Sequence, residues 1–164
     1  MAETQEHHDF RQSLLRRLLD EDPEAVVDRT KSRTEELREF HESVRGDMED
    51  LLNSRQPCLV WPSWLDELSV SLVNYGIPDF TGYDIASPER REEFRRTVEE
   101  VVRNFEPRLM GVSVSLVTID DATRSIRFRI NALIQADPAP EAIIFDSVVN
   151  TATRTFAVIG DDHG

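Results

Sequence analysis

Pro107 divides this chain into two regimes of hydrophobic spacing, and no other feature constrains the fold as much. Upstream, Phe94, Val98, Val101, Val102 and Phe105 recur at helical intervals and define one buried stripe. Ser87-Pro88-Glu89 predicts the start of that helix, a capping serine followed by proline at the first helical position. Arg103 suits its last turn, where the helix dipole favours a cation. Pro107 lacks a backbone N–H and its ring clashes with a preceding helical turn, so the helix stops there. Downstream the period becomes two. Val112, Val114 and Leu116 alternate with Ser113, Ser115 and Val117; after a turn at Asp120-Asp121, Ile126, Phe128 and Ile130 alternate with Arg127, Arg129 and Asn131. Asp137–Pro140 reads as a loop, and 142–149 with 153–159 as a second, shorter hairpin. Helices first and strands later predict an α+β fold, with N-terminal helices packed on a small, mainly antiparallel C-terminal sheet.

The same proline shapes the residues beside it. It pushes Glu106 toward an extended conformation, in which side chains two apart point the same way. Glu106 and Arg108 are therefore expected to form an acid–base pair presented on one side of the helix exit.

The N-terminal half is read from its caps and stripes. Ser32 and Glu35 make a capping box ahead of a long helix, expected over 33–55, with Leu37, Phe40, Val44, Met48, Leu51 and Leu52 as its apolar face. Gly46 inside it suggests that another backbone approaches there. Ser63 and Asp66 suggest a second helix burying Leu65, Leu68 and Leu72 and ending at Gly76; an ordered loop over 74–82 follows. Ahead of all this, Phe10, Leu14, Leu15, Leu18 and Leu19 recur at helical spacing among Arg11, Arg16 and Arg17, before the acidic stretch Asp20–Glu24. So short a helix has little stability alone and packs either on its own domain or on a partner. The expected organisation is a flexible extension over 1–28, a domain over 29–159 and a tail over 160–164.

Composition narrows the chemistry. With 32 acids against 19 Lys and Arg the formal net charge is -13, which repels phosphate backbones and anionic membranes. No nucleic-acid binding or membrane insertion is expected. The start, Met1–Glu6, lacks the basic and apolar regions of a signal peptide, and Cys58 is the single cysteine; both suit an intracellular chain. Cys58, between Pro57 and Leu59, is expected to be a small buried apolar residue. His7, His8, His41 and His163 are scattered, without HExxH or CxxC spacing, so neither metal nor cofactor is expected. A GxSxG elbow and phosphate-cradling glycine loops are absent. A glycosidase needs two carboxyls across a cleft, and most acids here fall on polar helix faces. Arg124, Arg127 and Arg129 crowd one strand pair; they read either as a solvated sheet face or as a site for an acidic partner.

Five segments taken in order carry a resemblance. They are Ser13–Asp20, Ser43–Arg55, Ser71–Asp79, Phe105–Leu109 with its Glu-Pro-Arg motif, and Phe145–Ser147. Together, over about residues 13–158, they resemble the TssE family of type VI secretion baseplate subunits, related to the lysozyme-like wedge proteins of contractile phage tails. The resemblance implies a structural subunit, not an enzyme, with a fold like the core of the sheath subunits TssB and TssC. It implies neighbours TssF, TssG and TssK, a cytoplasmic place at the inner-membrane-attached baseplate, and docking of the first sheath ring by shared strands. On that basis Glu106, Pro107 and Arg108 are the expected inter-subunit motif. Ile143, Phe145, Arg154, Phe156 and Val158 mark the expected sheath-docking strands, and Phe10, Leu14, Leu15 and Leu18 the expected wedge-docking helix. The same role in a phage tail or an extracellular contractile particle is the alternative; a peptidoglycan hydrolase is a third, and would require secretion.

Overall fold

The structure is a computed structural model that describes residue 18 and residues 32–80, 87–120, 122–134, 139–150, 152–153 and 155–160. Helix α1 (Arg33–Asn53) opens on the predicted capping box: Ser32 N–H donates to Glu35 Oε2 at 2.8 Å and Glu35 N–H to Ser32 Oγ at 3.3 Å. Phe40, Val44, Met48, Leu51 and Leu52 are buried along it, while Leu37 is half-buried. The helix ends at Asn53, two residues short of expectation, because Ser54 is already extended. At Gly46 no atom beyond the helix's own adjacent backbone lies within 4 Å of where a Cβ would stand, so among the described residues the expected close approach of another backbone is absent.

The second expected helix does not form. Residues 56–76 make an excursion with two short 3₁₀ helices, Asp66–Val70 and Leu72–Asn74, neither with a buried residue. Local polar side chains take the carbonyls that a helix would use: Ser69 Oγ donates to Asp66 O at 2.6 Å, Ser71 Oγ to Leu68 O at 2.9 Å and Asn74 Nδ2 to Ser69 O at 2.9 Å. Leu65 and Leu72 are exposed rather than packed. Cys58, expected inside, is also exposed, because it lies on this excursion. A single parallel bridge, Arg55 to Ile77, closes the base. There Ile77 N–H donates to Ser54 O at 2.9 Å and Gln56 N–H to Ile77 O at 3.0 Å. Gly76 has φ +109, and a Cβ there would stand 2.7 Å from Ser54 O, so the closure requires glycine.

Helix α2 (Pro88–Phe105) starts at Ser87, whose Oγ accepts from Arg90 N–H at 3.5 Å, and buries Phe94, Val98, Val101 and Val102. Four strands follow: β1 (Leu109–Asp120), β2 (Ser125–Ile134), β3 (Glu141–Asn150) and β4 (Thr155–Gly160). They form one antiparallel meander in the order β1-β2-β3-β4. Alternate residues of the sheet meet the two helix stripes, and the core is one cluster running from Phe40 to Val158. Its centre is aromatic: Phe94, Phe128 and Phe156 from three elements lie 5.7 to 6.5 Å apart, centroid to centroid. The other sheet face carries exposed Arg127, Arg129, Leu133, Ala157 and Ile159. This is the α+β arrangement expected, with the helices ahead of the sheet in sequence.

Candidate functional site

The corner at Pro107 is built by the end of α2. Glu106 N–H donates to Val102 O at 2.9 Å, closing the last helical turn, and Leu109 N–H to Glu106 O at 3.1 Å as β1 begins. Arg108 Nε donates to Glu106 Oε1 at 2.6 Å, and Arg108 Nη2 also bonds Glu106 Oε2. The expected pair therefore forms, but it faces inward. Glu106 is only 4% exposed, and Arg108 Nη2 reaches Asp47 Oδ2 on α1 at 2.6 Å. The guanidinium lies 5.9 Å from the centroid of Phe40. Burial pulls the Arg108 pKa down, but Glu106 and Asp47 outweigh it and the net shift is upward. Tyr75 stacks edge-on against Phe105 at 5.4 Å; burial, then Asp50, Asp47 and Glu106, push its phenol up. The outward display expected of this pair is thus corrected: a fixed cation between two carboxylates draws the corner onto α1, and Pro107 alone is exposed.

The described residues that mark the expected docking strands lie in β3 and β4. Ile143, Phe145, Phe156 and Val158 all point into the core, and β3 is paired on both sides. Arg154 lies outside the described residues, as do Phe10, Leu14 and Leu15; Leu18 is helical and 81% exposed. Among the described residues β1 and β4 are the edge strands of the sheet, and each is lined by a polar row on a helix. On β4, Asn53 Oδ1 accepts from Phe156 N–H at 2.9 Å, Asn53 Nδ2 donates to Phe156 O at 3.0 Å, and Arg45 Nη1 to Val158 O at 3.3 Å. On β1, Val114 N–H donates to Glu99 Oε2 at 3.2 Å, Arg95 Nη1 to Val114 O at 3.3 Å, and Arg103 Nη2 to Val112 O at 3.5 Å. Arg45, Glu49 and Asn53 recur every four residues, as do Arg95, Glu99 and Arg103, so each row lies along one helix face. Glu99 is further held by Arg95 and Arg103, each at 2.7 Å. Burial pushes its pKa up, and the Val114 N–H, Arg103 and Arg95 more than offset this, leaving it lowered.

Arg127 and Arg129 do share the outer sheet face, but Arg129 is bound to Asp146 at 2.7 and 3.0 Å, so the basic stripe is partly neutralised. What the sequence reading missed is the excursion. Leu59, Val60, Trp64, Leu65, Val70, Leu72 and Val73 are all exposed there. Its two tryptophans and two prolines within Pro57–Trp64, with no stripe continuing past Leu72, were the available signal. Exposed apolar groups so concentrated mark a contact surface.

Among the described residues no group of three or more His, Cys, Asp or Glu is gathered that would hold a metal, and no helix is long and apolar enough to cross a membrane. A search of curated proteins finds no match to the chain. The family model described as baseplate wedge protein gp25 matches residues 38–139, from α1 through the excursion, α2, the Glu-Pro-Arg corner and the β1–β2 hairpin. That span is more than half of the 164 residues, and the chain belongs to the gp25 baseplate wedge family.

Proposed function

We propose that this chain is the TssE-type subunit of a type VI secretion baseplate, where it joins the wedge to the contractile sheath and templates sheath assembly. Family membership makes it a structural component of the baseplate of a phage or contractile injection system, with other baseplate and sheath components as partners. The observation that carries the finer reading is the ordered run of five TssE-like segments, two of which, at 43–55 and 105–109, meet in the Asp47–Arg108–Glu106 cluster. In this reading the wedge partners are TssF and TssG, with TssK nearby, and they contact the apolar excursion, the exposed Pro107 corner and the segment containing Leu18. The sheath partners TssB and TssC pair with a strand edge. The subunit works in the cytoplasm at the inner-membrane-attached baseplate, without catalysis.

The test is made in cells carrying the system. Deleting the gene is expected to abolish fluorescent sheath foci, and restoring it to bring them back; foci that persist without the chain would overturn the reading. The same role in a phage tail or extracellular particle predicts tail-fibre and lysis genes beside this one, in place of effectors and a ClpV-type ATPase.

A further inference from the structure

We propose that the open face of the sheet, turned away from α1 and α2, docks an acidic amphipathic helix of a partner protein, laid along β3 with a carboxylate on Arg127. The pairing register sets Val148 between Arg127 and Ala157, and Asp146 between Arg129 and Ile159. Ile144 and Leu133 continue the apolar part of the face toward Ala142. Leu133 and Ile159 are 42% and 55% exposed, while Ile144 and Val148 are half-buried. Apolar side chains gathered on one open sheet face mark a contact surface. Such a face is buried by adding a layer, and its dimensions fit a helix. Strands β2, β3 and β4 together span about 10 Å, one helix width. The outward positions of β3 from Ala142 to Val148 run about 20 Å, the length of about thirteen helical residues.

Charge fixes the kind of helix. In a chain with a formal net charge of -13, the middle of this face presents Arg127 and Arg129 against Asp146. Arg129 and Asp146 hold each other, at 2.7 and 3.0 Å. The other carboxylate nearby, Asp120, accepts from the N–H groups of Ala122 and Thr123 in the β1–β2 turn. Among the described residues Arg127 acts on these two acids through space alone. Its exposed guanidinium therefore keeps its fork of donors for an outside carboxylate. An uncharged surface laid over it would strand a buried cation, so the occupant must bring an acid to that point. A second copy does not supply such a helix from the described residues, because no large apolar residue is exposed on α1 or α2. The segment containing Leu18 is a poor match as well. Arg11, Arg16 and Arg17 stand among its apolar residues and would bring cations toward Arg127 and Arg129. A different protein with an acidic helix meets both requirements, whichever contractile system the chain serves.

The test uses the full-length chain, expressed in its native host with the photo-cross-linker benzoylphenylalanine at one position. Leu133 and Ile159 flank β3 on either side, and exposed Arg38 on α1 is the control on the opposite layer. The first two positions are expected to capture the same protein, through a peptide with apolar residues at helical spacing and an Asp or Glu on the same face. Arg38 is expected not to capture it. Arg127→Glu is expected to abolish both adducts while leaving the melting temperature nearly unchanged, because the residue is exposed. Should that variant fail to fold, Arg127→Gln removes the cation without adding a like charge to the acids nearby. A synthetic copy of the captured peptide is expected to bind the purified chain, with Arg127→Gln weakening it on the order of tenfold and Arg127→Lys recovering part of the loss. Adducts and peptide binding that Arg127→Gln leaves unaltered would overturn the pairing with a carboxylate, and so would a captured peptide that contains none. An adduct to this chain itself, whether to residues 10–22 or to a second copy, would reject a partner protein as the occupant. No adduct at either Leu133 or Ile159 would show the face to be solvated and the docking absent.

Discussion

Glu106 and Arg108 show how far a single residue can be read from its neighbours. That they pair follows from Pro107 and two-residue spacing; where the pair faces does not, because Asp47 and Phe40, which decide it, lie more than sixty positions before Arg108 in the sequence. The consequence is energetic. Removing one partner of a buried ion pair strands the other, at a cost of about 3–5 kcal/mol, against about 0–1 kcal/mol for an exposed pair. Glu106→Ala and Arg108→Ala are each expected to lose stability in the upper range, as a shift of the urea unfolding midpoint. A loss below about 1 kcal/mol in both would show that the pair is not buried in solution. Any assembly defect of these variants must then be measured below their melting temperatures. Gly76→Ala tests a different kind of residue constraint. With φ +109 and Ser54 O in the way, the alanine is expected to cost about 1–3 kcal/mol and to free the excursion from its base, seen as faster exchange at Ile77 N–H.

At the scale of elements, legibility followed the number of independent signals. The starts of α1 and α2 were readable from Ser32 with Glu35 and from Ser87 with Pro88, and the strands from their two-residue alternation. The stretch from Ser63 to Gly76 offered three leucines and one cap, and serine and asparagine side chains won the carbonyls there. The helix rows that cover the sheet edges were not legible at all. Arg95, Glu99 and Arg103 look like ordinary solvated i,i+4 pairs until the fold brings β1 beside them. Their cover of β1 depends on pH. The folded-state pKa of Glu99 is depressed, so its contribution is present above its unfolded value, near 4.5, and is lost as pH falls through the depressed one. Protection of Val114 N–H is therefore expected to decline below about pH 4.5, and Glu99→Gln to flatten that decline. The slope will not vanish from global stability, because Asp146 is also held low, chiefly by its hydrogen bond from Arg129. Protection of Val114 that is constant down to pH 3 would reject the assignment.

Taken as a whole, the molecule separates a closed core from a decorated exterior. Leu18 is exposed, and among the described residues the core cluster begins at Phe40. Removing residues 1–22 is therefore expected to leave the melting temperature nearly unchanged while weakening copurification with TssF and TssG; a large drop in melting temperature would place that segment on the domain's own surface instead. A structural subunit is also expected to leave the turbidity of a peptidoglycan suspension unchanged over hours, and clearing lost on Glu106→Gln would return the hydrolase reading. The excursion has a consequence of another kind. Its ends are pinned to each other by Ser54, Gln56 and Ile77, and most of what lies between contributes nothing to the core. Mutation can therefore rewrite 57–70 with little loss of folding, while Tyr75 keeps the excursion anchored to Phe105. Within such a family this is a natural place for lineages to diverge in which neighbour they accept, and for an engineer to transplant one neighbour preference onto another domain.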